Sequence, residues 1–109
     1  NGVGLSANQI GINERVFIMV KDLEYNEILT CFNPRIVKQS SKTVVMEEGC
    51  LSYPDKFVEV ERSETVVVKY EDENKVDHKI KLEGFAARVF LHEFDHMQGI
   101  NFTQRKWTK

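Results

Sequence analysis

GFAARVFLHEFDHMQ, residues 84–98, is the stretch around which the rest of the chain has to be arranged. Its apolar residues fall on nearly every side of a helical wheel, which marks a helix buried on most sides rather than one lying on a surface. Gly99 suits the left-handed position just past the C-terminus of such a helix. His92, Glu93, Asp95 and His96 are set among Val89, Phe90, Leu91, Phe94 and Met97. Polar groups inserted into an apolar helix cost several kcal/mol each if left without partners in the interior. This segment therefore asks for partners or a ligand.

Upstream, short β-type runs follow one another: Val16 to Val20, Ile28 to Phe32, Thr43 to Met46, Val58 to Val60 and Thr65 to Tyr70. The turn-prone EDEN at 71–74 leads into a run from Val76 to Leu82, with Val76, His78, Ile80 and Leu82 on one face. The pair reads as a β-hairpin. Asn33-Pro34 and Tyr53-Pro54 mark turns or bends. Strands first and one long buried helix last predict an α+β domain, with small antiparallel or mixed sheets packed around one buried C-terminal helix.

The 109 residues suit one domain with one core, and 41% hydrophobic against 29% charged is the balance of an ordinary globule. A net charge of -2, with acids and bases interspersed, shows no face rich in Lys and Arg, so nucleic acid is not expected as a partner. No apolar run approaches the ~18 residues of a membrane span, and no signal-peptide pattern opens the chain. A cytoplasmic protein without membrane partners is expected. Cys31 and Cys50 lie far apart, and without secretory context a structural disulfide is not expected.

The chemistry sits in His92-Glu93-Phe94-Asp95-His96. Residues four apart differ by ~40° around a helix and ~6 Å along it, so both imidazoles leave the same face. They can grip one ion at the ~2.0–2.1 Å that zinc or a similar metal requires. Glu93, one residue on, can reach a water at that ion without being a ligand, which is the H-E-x-x-H arrangement of a metal-dependent hydrolase. Two histidines at this spacing also arise by chance on amphipathic surface helices, but the apolar surroundings here argue against that.

Two histidines leave such a site one protein ligand short. After His96 come only 13 residues, MQGINFTQRKWTK, without Asp, Glu, Cys or His. The extended zinc-peptidase pattern H-E-x-x-H-x-x-G-x-x-H matches through Gly99 but meets Phe102 at the third histidine. The third ligand must come from upstream, where Cys50, Cys31, His78 and several carboxylates are candidates. Cys50 stands out in Glu48-Gly49-Cys50-Leu51-Ser52, because Gly49 permits a sharp or close backbone approach. Cys31 lies in the apolar LTCFNP, where an inert buried thiol is the common outcome. His78, among charged neighbours, reads as a solvent-facing or half-buried structural residue. Gly2-x-Gly4-x-x-Ala7 fits a dinucleotide-binding fingerprint, but no strand precedes it and Gln9-Ile10-Gly11 breaks any long helix, so that reading is set aside.

Gly2-Val3-Gly4-Leu5-Ser6-Ala7-Asn8-Gln9, Glu48-Gly49-Cys50-Leu51-Ser52 and His92-Glu93-Phe94-Asp95-His96 together resemble the three motifs of the peptide deformylase family: G-x-G-L-A-A-x-Q, E-G-C-L-S and H-E-x-D-H. Order and spacing agree, and the single departure is Ser6 for Ala. The resemblance implies a deformylase-like fold and an enzyme that removes the N-formyl group from newly made polypeptides, releasing formate. It implies that Cys50, His92 and His96 hold one divalent ion, natively Fe(II), with Zn(II), Ni(II) or Co(II) as alternatives. It also implies that Glu93 acts as general base and then acid, and that the Gln9 side-chain amide and the Leu51 backbone N–H stabilise charge on the formyl oxygen.

For the methionine pocket, Val89, one turn before His92 and on its face, is joined by Val3, Gly4 and Met46 from the neighbouring motifs. Asp95 requires a partner, with Arg62, Arg15 and Arg105 as candidates, unless it orients a ligand imidazole. Arg88 and Phe85 are candidates to tune the methionine pocket, in a manner the sequence leaves open. The expected partners are formyl-methionyl chains at the ribosome, met by a monomer. The competing readings are a zinc endopeptidase and an inactive, metal-stabilised relative. Because family members carry a segment before the first motif, the gene product is expected to extend upstream of Asn1, while the short end after Phe102 is expected to be native.

Overall fold

Alternation builds the sheet from its most regular hairpin outward. In β6 (Thr65–Glu71), Val66, Val68 and Tyr70 are buried while Lys69 is exposed, and in β7 (Asp77–Glu83) Leu82 is buried between exposed Lys81 and Glu83. The two strands pair antiparallel from Thr65 opposite Glu83 to Glu71 opposite Asp77. Asp72 closes the turn between them, its Oδ1 accepting the backbone N–H groups of Asn74 and Val76.

This computed structural model describes residues 4–6, 15–22, 27–50 and 53–98, with the backbone path alone for 4–6, 22, 50 and 53–56. The remaining elements are β1 (Gly4–Ser6), β2 (Val16–Asp22), β3 (Glu27–Gln39), β4 (Thr43–Cys50), β5 (Tyr53–Ser63) and α1 (Gly84–Met97). One five-stranded sheet runs β1-β2-β3-β6-β7, and β4 and β5 form a separate two-stranded sheet. All pairings are antiparallel. The expected α+β architecture is the one observed, with antiparallel sheets. Among the described residues no helix is long and apolar enough to cross a membrane.

Asn33-Pro34 does not end its strand. Asn33 takes a left-handed φ of 49°, and the ladder to β6 shifts between Phe32 and Arg35. The result is a β-bulge that accommodates the missing proline N–H and bends β3 without stopping it. The expectation of a bend holds there, and the strand continues to Gln39. At Tyr53-Pro54 the chain begins β5.

The core lies between the larger sheet and one side of α1. Phe17 and Met19 from β2, Cys31 from β3, Val66, Val68 and Tyr70 from β6 and Leu82 from β7 meet Ala86, Ala87, Val89, Phe90 and Leu91 of the helix. The Phe17 and Phe90 rings stand edge to face at 5.1 Å. Gly84 turns the chain from β7 into α1 with a φ of +57°, a conformation that suits a residue lacking Cβ. Its N–H donates to the Glu64 carbonyl. The β4–β5 hairpin meets the helix differently. Val60 is fully buried but lies outside the apolar cluster, and the hydrogen bonds described from hairpin to helix run through the charged side chains of Arg62, Arg88 and Glu48.

Candidate active site

The 3.6-residue period brings His92 and His96 to one face of α1, both buried. Their Nε2 atoms lie 3.1 Å apart. Two imidazole nitrogens bound tetrahedrally to one ion at ~2.0–2.1 Å would be separated by roughly 3.3 Å, so the pair is spaced to share a metal. The other ring nitrogen of His92, Nδ1, donates to Glu48 Oε1 at 2.7 Å. Burial pushes the Glu48 carboxyl up, but hydrogen bonds from His92 and Arg62 outweigh it and hold the group at about 2. Glu48 is thus an anion, which places the proton on Nδ1 and leaves a lone pair at Nε2. Burial is the largest cause that lowers His96 to about 4, so its ring is neutral near pH 7 and able to donate a lone pair.

Glu93 is buried beside them, and its Oε1 has no hydrogen-bond partner among the described residues. A buried carboxylate oxygen left in this way is costly unless something else meets it. Burial is the main reason its carboxyl rises to about 7, the range in which a side chain can both take and give a proton near neutral pH. Donor set, lone-pair directions and orphaned oxygen all fit a divalent ion with a water at it.

β4 delivers the hairpin half of the site. Its ladder to β5 shifts between Glu48 and Cys50, the kind of bulge that re-aims a side chain beside a site. The Cys50 backbone ends the strand opposite Tyr53, while its side chain lies outside what is described, as do Gln9, Leu51 and Val3. Among the described residues no group of three or more His, Cys, Asp or Glu is arranged to hold a metal. Gly49 leaves room for the Phe57 ring: a Cβ there would stand 2.5 Å from its Cε1, so the ring would have to shift.

Beside Glu93 and His92 opens a cavity of about 260 Å³ walled by Met46, Phe57, Phe85 and Val89. Met46 and Val89, expected in the methionine pocket, both line this cavity. Gly4 sits in β1 opposite Met19. Phe85 and Arg88, expected to tune the pocket, both line it, and Phe57 is the wall residue that sequence reasoning passed over.

Asp95 finds Arg62, whose Nη1 donates to Oδ2 at 2.8 Å, while Arg15 binds the Gln98 side chain instead and Arg105 lies outside the described residues. Arg62 also grips Glu48 with Nε (2.6 Å) and Nη2 (3.0 Å). Arg88 donates to Glu48 Oε2 and to the carbonyls of Val60 and Val44. Two guanidinium groups and two carboxylates, all buried, thus form a charge-balanced network under His92. Glu48 is the functional residue that sequence reasoning passed over. Away from the site, Cys31 is fully buried and its thiol is pushed up to about 12 by that burial. His78 is half-buried, bonded to Asp72 at 2.7 Å and stacked on Tyr70.

The family model described as polypeptide deformylase matches residues 1–108. The peptide deformylase of Thermotoga maritima is 47% identical over 105 residues, which cover 96% of this chain and 62% of that protein. The chain thus spans about three-fifths of the length of the curated relatives it matches. The crystal structure of the T. maritima enzyme superposes with a TM-score of 0.93 at 44% identity, covering 99% of this chain and 71% of that one. The Acinetobacter baumannii peptide deformylase bound to Met-Ala-Ser superposes with a TM-score of 0.88 at 39% identity, covering 96% and 70%. A helix that carries paired imidazoles, a carboxylate aimed at one of them and a match along almost the whole sequence lead to one conclusion: the chain belongs to the polypeptide deformylase family.

Proposed function

We propose that the whole chain acts as one catalytic domain that hydrolyses the N-formyl amide of formyl-methionyl polypeptides to formate and a free amine. The observation that carries this reading is the 3.1 Å approach of the His92 and His96 Nε2 atoms, together with a buried Glu93 Oε1 that has no hydrogen-bond partner among the described residues. Cys50, His92 and His96 would hold one divalent ion. A thiolate with two imidazoles suits Fe(II), Co(II), Ni(II) or Zn(II), and the family resemblance favours Fe(II). The ion, when bound, supplies Lewis acidity, acidifying water and polarising a carbonyl oxygen.

The remaining work falls to the chain's own groups. Glu93 accepts a proton from the water that attacks the formyl carbon, then delivers it to the departing amine nitrogen as the C–N bond breaks. The Gln9 amide and the Leu51 N–H donate to the formyl oxygen as charge develops there. One such donor is typically worth about 3 kcal/mol of transition-state stabilisation. Met46, Val89, Phe57 and Phe85 enclose the methionine side chain, with Val3 and Gly4 completing the pocket from the first motif. The Met-Ala-Ser bound to the A. baumannii relative supports a methionine-led peptide as product. The same family likeness supports a monomer working in the cytoplasm on chains leaving the ribosome.

The test is formate release from formyl-Met-Ala-Ser by the 109-residue chain loaded with Co(II) or Fe(II). Turnover that a chelator removes and the metal restores is expected. Metal uptake without formate release would overturn the proposal, and cleavage of casein instead would point to an endopeptidase.

A further inference from the structure

We infer that Arg88 is a positioning residue that latches the β4–β5 hairpin to the helix one turn before His92, so that the two halves of the metal-binding set meet in one geometry. The inference rests on the ligand set proposed above. That set is divided: His92 and His96 stand on α1, whereas Cys50 ends β4. The shape of the site is therefore the position of the hairpin relative to the helix.

The larger sheet holds α1 by apolar contact, which is non-directional. Charge-assisted hydrogen bonds are directional and short. The Arg88 guanidinium spreads across both hairpin strands, reaching the Val44 carbonyl and Glu48 on β4 and the Val60 carbonyl on β5. It meets Glu48 at Oε2, and the other oxygen of the same carboxylate meets His92 Nδ1. A closed ring of contacts therefore runs from the helix at 88, through the hairpin, and back to the helix at 92.

Arg62 cannot do this alone. It sits on the same hairpin as Glu48 and touches the helix at Asp95, on the far side of His92. Without Arg88 the hairpin would retain that latch and the Glu48–His92 bond, but would lose the contacts that tie both of its strands to the helix one turn earlier. If Arg88 only neutralised Glu48, a lysine would serve equally well. A planar fork reaching three acceptors on two strands is a different device from a point charge.

The experiment titrates Co(II) alone into the 109-residue chain and its Arg88→Lys and Arg88→Met variants. It follows the thiolate-to-cobalt charge-transfer band and the intensity of the d–d bands. Thermal unfolding of the metal-free proteins and formate release are measured alongside. Both variants are expected to fold with a lowered Tm and to bind cobalt about 10–100-fold more weakly, the range seen when groups that orient ligands are lost. Their d–d bands should be weaker per bound cobalt, and kcat should fall with KM unchanged. Wild-type affinity and band intensities in Arg88→Lys would overturn the inference. Failure of Arg88→Lys to fold would also overturn it, by showing a wholly structural role. Should Arg88→Met alone fail to fold, the lysine variant decides by the same two criteria. A wild-type chain without the thiolate band or without formate release would instead sink the underlying functional reading, and this inference with it.

Discussion

Glu48 Oε1 and His92 Nδ1 lie 2.7 Å apart although 44 positions separate them in the chain. The carboxylate fixes which imidazole nitrogen keeps the proton, and so which one faces the other histidine. Glu48→Gln preserves shape and removes charge. It should weaken metal binding by about 10–100-fold while leaving the protein folded. Glu48→Ala should unfold far more easily, because breaking a buried ion pair typically costs ~3–5 kcal/mol. Chelator competition and urea denaturation separate the two effects. Unchanged metal affinity in Glu48→Gln would contradict the role.

Glu93→Gln should bind metal as tightly as the parent and lose formate release by at least roughly 100-fold, the lower end of what general acid–base catalysis contributes. Metal content by atomic spectroscopy, read beside turnover, is the check. Comparable kcat in the variant would remove Glu93 from the mechanism.

Three buried groups among those described contribute to the acid response of the metal-free protein. His96 is depressed from 6.5 to about 4, so its contribution is complete above pH 6.5 and is lost as pH falls toward 4. Glu93 is raised from 4.5 to about 7, so its contribution is complete below pH 4.5 and is lost as pH rises through 7. Each shift is worth about 3 kcal/mol at 1.36 kcal/mol per unit, so the two oppose one another across that window. Glu48, lowered from 4.5 to about 2, then removes stability as pH falls below 4.5. Urea midpoints should therefore stay nearly level from pH 7 to 4.5 and drop beneath it. In Glu93→Gln the decline should begin near pH 6.5. Parallel curves for both proteins would refute the compensation.

Gly84→Ala has open space around the new methyl group and should still destabilise, because the φ of +57° is retained. The left-handed conformation costs an L-residue ~1–2 kcal/mol. Gly84→Asn should cost less, since Asn visits this region more readily. Equal denaturation midpoints for the parent and the Gly84→Ala variant would show that the helix start can relax.

The parts of the molecule legible from sequence are those written locally. The helix and its paired histidines follow from a period within one segment, and the β6–β7 hairpin from alternation around a turn. Asp95 could be said to need an arginine, yet choosing Arg62 required the fold, because 33 residues separate them. Glu48 and Arg88 were harder for the same reason. Each is a charge at a buried position, and a lone Arg88 between Ala87 and Val89 was a signal of the same kind as Asp95. β3 extends beyond its sequence pattern because proline suggests an end, while Asn33 absorbs the irregularity as a bulge. The short β1 is illegible because three residues beginning with glycine carry no strand pattern.

Burial of Cys31 has a practical corollary. A thiol with no exposure and a pKa of about 12 presents almost no thiolate to an alkylating reagent at mildly alkaline pH. Native-state labelling of this two-cysteine chain should therefore never exceed one equivalent. The single label becomes a direct gauge of Cys50, and protection by added metal can be read as a stoichiometry without mutating the second sulfur.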